Sequence, residues 1–376
     1  MPRQESLDLT RRVLKHVEND TLDTVDDVWR EPREAFVDRE RFEADVAMLR
    51  RVPHVIGWAG EVATPGQYTT KDVLGVPVLV TRRGDGVLQA FVNGCAHRGA
   101  QVVADCGRTR IFKCPYHGWA YGLDGRLTGA PARKMFAGAE LEQRGLVPLP
   151  VSEQAGLIVV GLSDDVDVST ALNGVSEPLS GYNFSHNHHA ETRRFDIACN
   201  WKLAIDVNFE GYHFPYVHAD TLDPIASNNS VYDIYGRNIR WAFPFRDIVQ
   251  YRDVPEIEWP DQFFGTVVYG LFPSCVLIEA PGTSQMLRAY PGRNPGETVL
   301  YLSIGAPSEI TTDEERAWYK MGIDGAARVL DGQDFPMAAA CQRGLEAGVD
   351  HVVFGRNEAL LHHLAATWQQ ALGTQC

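Results

Sequence analysis

Four residues in two short runs have the types and spacing of a metal site. FVNGCAHRGA carries Cys95 and His97, and FKCPYHGWAY carries Cys114 and His117. Two Cys and two His can close a tetrahedral structural zinc site. They can equally hold a [2Fe–2S] cluster, with both thiolates on one iron and both imidazoles on the other. A common zinc finger pairs Cys with Cys and then His with His. Here each turn carries one of each, the order expected when two loops clamp a two-iron cluster from opposite sides. Gly94, Gly99 and Gly118, with Pro115, suit tight loops whose backbone N–H groups point at sulfur.

A second group lies in NWKLAIDVNFEGYHFPYVHAD, where His213 and His218 are five residues apart. On a continuous helix they would point about 140° apart, poor geometry for one ion. Pro215 disfavours helical geometry at Phe214 and bends the chain, which can re-aim both imidazoles at one point. Two His with a carboxylate and open positions make the facial triad of non-haem Fe(II) chemistry with O2. The plainer alternative is two buried histidines in a helix. Glu210 lies three residues before His213, about 60° away on a helix, and Asp206 falls on the same face.

C-A-H-R-G-A and C-P-Y-H-G-W-A-Y resemble the Rieske iron–sulfur motif of the ring-hydroxylating oxygenase family. N-W-K followed by E-x-x-H-x-x-x-x-H resembles that family's catalytic-iron motif. Ala100 and Tyr116 stand where the respiratory type of Rieske protein has a disulfide, so the likeness is to the oxygenase type. The resemblance implies an α (terminal oxygenase) subunit. Cys95, His97, Cys114 and His117 would hold a [2Fe–2S] cluster, and His213 and His218 a mononuclear Fe(II). The triad's carboxylate must then come from far downstream. The segment GQDFPMAAACQRGL resembles the family's ligand-bearing segment, which places it at Asp334. Asp334 before Phe335-Pro336 also reads as a helix N-cap, and Asp331 is then the substitute. The family's acid before this Asp is Gln333 here, and alanines replace the acid in the following helix. Glu210 matches the acid that links the Rieske domain of one subunit to the iron of its neighbour in a head-to-tail homotrimer. Asp206 is its rival, and Asn208 a supporting residue. Electrons would come from NAD(P)H through a separate reductase, with or without a ferredoxin, since no G-x-G-x-x-G follows a strand in this chain. With O2 the enzyme would mono- or dihydroxylate a small aromatic or apolar organic substrate. The alternative is oxidative N- or O-demethylation of a betaine, methylamine or methoxy compound. Glu at position 210 favours the second, as in the subgroup acting on choline, carnitine and betaines. The aromatic-rich catalytic half favours the first.

These residues need elements to position them. Residues 8–20 and 40–51 carry helical periodicity. From 58 to 161, short β-rich runs (76–81, 88–93, 157–161) are broken by Pro-Gly and Asp-Gly turns, which predicts a compact all-β domain. Residues 164–180 read as a connector and 200–218 as partly helical. Strands are predicted at 266–271, 275–279, 285–290 and 298–304. Asp313 reads as a helix N-cap, and 357–372 is amphipathic, with Leu360, Leu364, Trp368 and Leu372 on one stripe. The fold class is therefore α+β, an all-β Rieske domain and a catalytic domain with an antiparallel sheet and helices. The expected division is a helical segment 1–52 packing with the catalytic domain, a Rieske domain 53–163 and a catalytic domain 164–376. Cys106 is expected to be a buried structural cysteine. His186, His188 and His189 are expected in an exposed loop, and His362 and His363 at the surface of a helix. Most aromatics of the catalytic half, among them Trp201, Phe209, Tyr212, Phe214, Trp241, Phe243, Phe245 and Phe263, are core residues. Others can line an apolar pocket or cage a quaternary ammonium.

Composition narrows the class. The 376 residues carry 35 Lys+Arg against 49 Asp+Glu, a net charge of −14. That balance repels phosphate backbones and excludes a nucleic-acid partner. No uncharged apolar run approaches the length of a membrane span, and the first 30 residues are charged throughout, without a signal core. Seven cysteines, an odd number, do not make a disulfide scaffold, which fits a reducing cytoplasm.

Overall fold

A computed structural model describes residues 1–280 and 282–373. The chain divides into two compact units: one of residues 49–171 and 183–188, the other of 1–48, 172–182 and 189–376.

The unit containing 49–171 is built from three antiparallel sheets. A five-stranded sheet runs in the order Pro148–Leu149, Leu88–Val92, Val76–Arg82, Gln67–Val73, Cys106–Arg108. A three-stranded sheet joins Val151–Gln154, Leu157–Val160 and His54–Trp58. Its last two strands are buried along their whole length, as expected for continuous apolar runs. The third sheet, Ile111–Lys113, Ala120–Gly122 and Leu127–Gly129, carries one of the two Cys-His turns. Cys106 lies at the exposed edge of the first sheet, a correction to its expected burial. Its strand is a short edge strand pairing with Gln67–Val73 alone, and all three of its residues are exposed.

The other unit is organised on a seven-stranded antiparallel sheet. Its order is His188–Ile197, Thr298–Ala306, Thr283–Pro291, Cys275–Ala280, Gly265–Leu271, Asn238–Pro244, Val231–Tyr235. His188 and His189 open the first of these strands instead of lying in a loop. Three strands, Asn238–Pro244, Gly265–Leu271 and all but one end of Thr283–Pro291, are buried on both faces. Helix Asp313–Val329 is capped by Thr312, one residue before the expected Asp313. Thr312 and Glu315 form a reciprocal capping box, and Asp313 begins the first turn. Helix Ala359–Leu372 buries Leu360, Leu364 and Trp368. Among the described residues no helix is long and apolar enough to cross a membrane.

The N-W-K tripeptide anchors the helix Trp201–Asp206. Asn200 caps it, its side chain accepting from Lys202 N at 3.0 Å, and its amide group donates to Phe36 O at 3.1 Å. Trp201 packs edge-on to Trp368 at 5.0 Å between ring centroids. Lys202 is 3% exposed; it is ion-paired with Asp45 and donates to Ala35 O at 2.9 Å. A buried charge pair adds little net stability, but it fixes register strongly, because losing one partner strands the other. This short helix is thus bound to residues from positions 35–45 and 368 before the ligand segment begins.

His54 gives the all-β unit a pH dependence. Its imidazole is 1% exposed and its Nε2 lies 2.7 Å from the Leu49 carbonyl. Burial pushes its pKa down to about 4 despite that hydrogen bond, against 6.5 in the unfolded chain. The unfolded state therefore binds the extra proton. The stabilisation is complete above about pH 6.5, declines as pH falls toward 4 and is flat below that, amounting to about 3 kcal/mol at most. Urea titrations at pH 7 and pH 4.5 should show a larger loss of stability for the wild type than for His54→Gln. Equal losses would remove His54 as the cause.

Candidate metal centres and substrate cavity

The two Cys-His turns share one backbone design. Cys95 N donates to Ala100 O and Gly99 N to Cys95 O, both at 2.8 Å. In the other turn Cys114 N donates to Trp119 O at 2.8 Å and Gly118 N to Cys114 O at 3.0 Å. Each turn closes on a glycine with positive φ, +80° at Gly99 and +72° at Gly118, which is why glycine stands there. Cys95 and Cys114 are buried in a cluster with Phe91, Phe112, Trp119 and Tyr121. The rings of His97 and His117 approach to 4.7 Å. His97 stacks on Trp119 at 4.9 Å, and Phe136 meets its edge at 5.5 Å. The Tyr121 hydroxyl lies 3.0 Å from Cys95 Sγ and accepts from Ala96 N at 3.0 Å. The buried His97 Nδ1 has no hydrogen-bond partner. Two buried sulfurs, two adjacent imidazoles and an unpartnered ring nitrogen suit a group that takes two thiolates and two imidazoles.

In the other unit the helix Trp201–Asp206 stops well before Pro215. Residues 207–213 are non-helical, and His213 and His218 flank the single turn Phe214–Val217 with Pro215 in its first turn. The expected proline bend is therefore a break upstream of the proline. Proline starts the short helix, where its missing N–H costs nothing. One turn between them brings the two imidazoles to 4.9 Å.

Asp334 comes to meet them from a break in a second helix. Between Asp313–Val329 and Phe335–Ala347 the residues Leu330–Asp334 form a π-helical turn. Pro336 cannot donate to the carbonyl four residues back and its ring crowds it, which accounts for the wider turn at this point. Asp334 has helical φ and ψ and makes no side-chain cap hydrogen bond, so its carboxylate is free for other work. Its Oδ1 lies 3.0 Å from His218 Nε2 and 3.6 Å from His213 Nε2. Ligand atoms of His213, His218 and Asp334 fall within 4.8 Å of one another. Asp331 takes no part in this group.

Both imidazoles are oriented from behind. His218 Nδ1 donates to Gln333 Oε1 at 2.9 Å, which also accepts from Thr221 Oγ1 at 2.9 Å. His213 Nδ1 donates to Glu210 Oε1, and Glu210 Oε2 accepts from Tyr212 N at 2.5 Å and His213 N at 3.2 Å. With each Nδ1–H committed, each Nε2 is aimed at the common point, the usual way of fixing a metal-binding tautomer. His213 Nε2 is buried and has no hydrogen-bond partner. Burial pushes the His213 imidazole down, but the nearby carboxylates of Asp334 and Glu210 lift it to about 9. Burial pushes Asp334 up, yet the two imidazoles hold it below its usual range. Two imidazole nitrogens and a carboxylate oxygen this close suit a divalent cation.

Sequence reasoning missed Gln333 and Thr221 as supports of His218, although the substitution of the usual acid by Gln333 was visible. Asp206 does not join the site. It closes the helix Trp201–Asp206 with its side chain turned into a separate cavity of ≈240 Å³ shared with Glu31, Arg41 and Lys202. Burial pushes its carboxyl well above the usual range. Asn208 donates to the carbonyls of Ala204 and Ile205, both at 3.1 Å, closing that same helix.

An open cavity of ≈1060 Å³ ends on His213, His218 and Asp334. Phe214, Trp241, Phe243 and Phe245 line it, with Val268 and Ile278 from the sheet. Trp241 and Phe243 are 4.5 Å apart, and Phe214 lies 5.4 Å from Phe243. The polar lining is Asn208, Thr266 and Gln285; among the described lining residues there is no Lys or Arg.

Residues 184–374 match the family described as ring hydroxylating alpha subunit (catalytic domain), and residues 53–145 match the Rieske [2Fe-2S] domain. A carnitine monooxygenase oxygenase subunit from Acinetobacter baumannii is 25% identical over 86% of this chain and 86% of its own length. A chloroplastic choline monooxygenase from Beta vulgaris is 36% identical over 44% of this chain and 38% of its own. Among solved structures, the quaternary ammonium Rieske monooxygenase CntA in complex with L-carnitine superposes with a TM-score of 0.76, at 21% identity, covering 94% of this chain and 97% of that one. The chain belongs to the ring-hydroxylating α subunits of the Rieske oxygenases, terminal oxygenases that carry a [2Fe–2S] cluster and a mononuclear iron.

Proposed function

We propose that the protein hydroxylates a small methylammonium compound whose remaining groups are neutral, releasing an N-methyl as formaldehyde or oxidising the carbon chain beside nitrogen. The observation that carries this reading is the cavity: aromatic side chains in its wall, neutral hydrogen-bonding groups, and no Lys or Arg among the described lining residues. A trimethylammonium head is held well by the faces of Trp241, Phe243 and Phe214. A hydroxyl finds Asn208, Thr266 or Gln285. A carboxylate, as in carnitine or a betaine, finds no Lys or Arg among the described lining residues and would lie desolvated without a side-chain counter-charge. The curated relatives named for carnitine and choline support the alkylammonium class over ring hydroxylation, which was the first expectation from the aromatic-rich sequence.

In this reading Cys95, His97, Cys114 and His117 hold the [2Fe–2S] cluster, and His213, His218 and Asp334 hold the iron. When bound, the cluster would supply electrons one at a time and the iron would supply O2 activation. The overall reaction consumes one C–H bond, O2, two electrons and two protons, and yields C–OH and water. An N–CH2–OH product then collapses to formaldehyde and the demethylated amine. The chain's own contributions are positional. Glu210 and Gln333 fix the two imidazoles, the aromatic wall excludes water and seats the methyl groups, and Asp334 balances charge. Glu210 retains lone pairs for a further donor. Its proposed role is to accept from a cluster-bearing His97 or His117 of a neighbouring subunit in a homotrimer, carrying electrons between copies. A separate NAD(P)H-dependent reductase provides them.

Gln333→Leu should weaken iron binding by 10- to 100-fold, the usual cost of losing a ligand's hydrogen-bond partner, and leave the visible cluster spectrum intact. Metal analysis after dialysis against a graded chelator reads this; unchanged retention would show that Gln333 does not support His218. Glu210→Gln should keep both metals and the oligomeric state. Single-turnover oxidation of the pre-reduced cluster should nonetheless slow by orders of magnitude, whereas Asp206→Asn should change it little. An unimpaired Glu210→Gln enzyme would end the bridging role. Choline and other carboxylate-free trimethylammonium alcohols should consume NADH in the presence of a reductase at least about tenfold more efficiently than carnitine, by the cost of an unpaired carboxylate. Trp241→Leu should lower kcat/KM for the cation more than for 3,3-dimethylbutanol, its uncharged isostere, by roughly 2- to 30-fold. Diol formation from a neutral arene without activity on any alkylammonium would overturn the substrate class.

A further inference from the structure

The net charge of −14 is unevenly placed. The unit of residues 49–171 and 183–188 has thirteen Lys and Arg against eleven Asp and Glu, a net of +2, so the other unit carries −16. Within the first unit, residues 98–134 hold seven basic residues against two acidic ones. Arg98, Arg108, Arg110, Lys113, Arg126, Arg133 and Lys134 are all exposed. Arg126 and Arg133 pair with Asp124 and Glu142. Among the described residues Arg108, Arg110 and Lys113 make no ion pair.

Arg108 and Arg110 rim an open concavity of ≈780 Å³ whose floor includes Pro65, Thr109 and Leu123. The rim is ordered by its backbone. Arg108 lies opposite Gln67 in the sheet, and Thr109 N donates to Gly66 O at 2.8 Å. The Thr109 hydroxyl donates to Ile111 O at 2.8 Å. Gly66 has a φ of +85°, and a Cβ there would meet Thr109 O at 2.8 Å, so glycine is required for this close approach. The next strand, Ile111–Lys113, starts at this rim and ends at Cys114, with Phe112 packed in the same core as Cys95 and Cys114. Four residues of strand span about 13 Å. The basic rim is thus joined to the sulfur-bearing turn by one short, buried-sided strand, at the end of that strand away from His117.

We propose that the concavity bounded by Arg108 and Arg110 is the docking surface for an acidic electron-donor protein. The chain carries no nicotinamide or flavin fingerprint, so electrons enter from another protein. A donor that must arrive and leave for each electron suits a concavity whose described lining residues include two arginines and no acidic residue, since weak redox encounters use small interfaces and gain their speed from charge steering. The acidic remainder of the chain repels an acidic donor elsewhere.

The test uses the purified holoenzyme and, as probe, a reduced plant-type [2Fe–2S] ferredoxin with an acidic surface, with stopped-flow reduction of the Rieske chromophore as the signal. The wild-type second-order rate constant should fall about tenfold or more between about 20 and about 200 mM NaCl, as steered encounters do. The pair Arg108→Glu and Arg110→Glu should slow the low-salt reaction about tenfold and flatten the salt dependence. R108Q with R110Q should fall between, and Arg252→Glu, on the acidic unit, should match the wild type. Photoreduction by a neutral deazaflavin should be the same for all of them, which separates docking from cluster damage. The proposal is overturned if the charge-reversed pair keeps the wild-type rate and salt slope. It is equally overturned if photoreduction slows in parallel, or if size-exclusion chromatography shows that the pair dissociates the assembly, since the rim would then serve contacts between copies of the chain.

Discussion

Everything at the catalytic centre depends on two imidazoles and one carboxylate being forced to one point by segments more than a hundred residues apart. Left alone, such a group is unfavourable. Asp334 is nine-tenths buried beside two histidines, and Glu210 adds a second carboxylate behind one of them. The protonated His213 implied by a pKa near 9 is a partial remedy, and a divalent ion is the full one. The fold holds the arrangement in place through rigid anchors placed before and after the ligands, so that none of the three can relax away from the others.

Those anchors are of two kinds. Ahead of His213, the buried Lys202–Asp45 pair, the Asn200 cap and the Trp201–Trp368 contact bind one short helix to distant parts of its unit. Ahead of Asp334, a π-helical turn set by Pro336 re-aims a residue that a regular helix would have pointed elsewhere. Both devices interrupt a helix at the ligand. Each spends local regularity on the direction of a side chain, and each is paired with a neutral or acidic acceptor, Gln333 or Glu210, that fixes the ring behind it. The cluster turns follow a different logic. Two identical hydrogen-bond patterns, each closed by a positive-φ glycine, place the two Cys at equivalent points of two loops, while His97 follows its Cys by two residues and His117 by three.

The cavity reads as the complement of this centre. Its aromatic wall can stabilise a cation without contributing a competing ligand, and among the described lining residues there is no Lys or Arg. Charge is separated on a larger scale too, with a slightly basic cluster-bearing unit and a strongly acidic catalytic one. Net charge therefore says less about this protein's partners than the distribution of that charge does.

The sequence by itself determined the candidate ligands, because coordination chemistry demands particular residue types at particular local spacings: Cys95-x-His97, Cys114-x-x-His117, and His213 with His218. The β-rich runs and helices that carry them were legible for the same reason, since period and turn residues are local signals. What the sequence left open was whatever depends on where a side chain points. Asp334 read as the ligand with a helix cap as its rival, and its helical backbone without a side-chain cap hydrogen bond removes the rival. Asp206 and Glu210 shared a face on an imagined continuous helix, and the break at residues 207–213 sent one into a separate buried cavity and the other to His213. Cys106 was expected inside and lies at a sheet edge. Of the many aromatics in the catalytic half, only the packing of the sheet decided that Trp241, Phe243 and Phe245 face the cavity while Phe209 and Phe263 are buried elsewhere. Composition and spacing are properties of the chain, whereas direction, burial and the partner behind each ring are set by contacts between residues far apart in it.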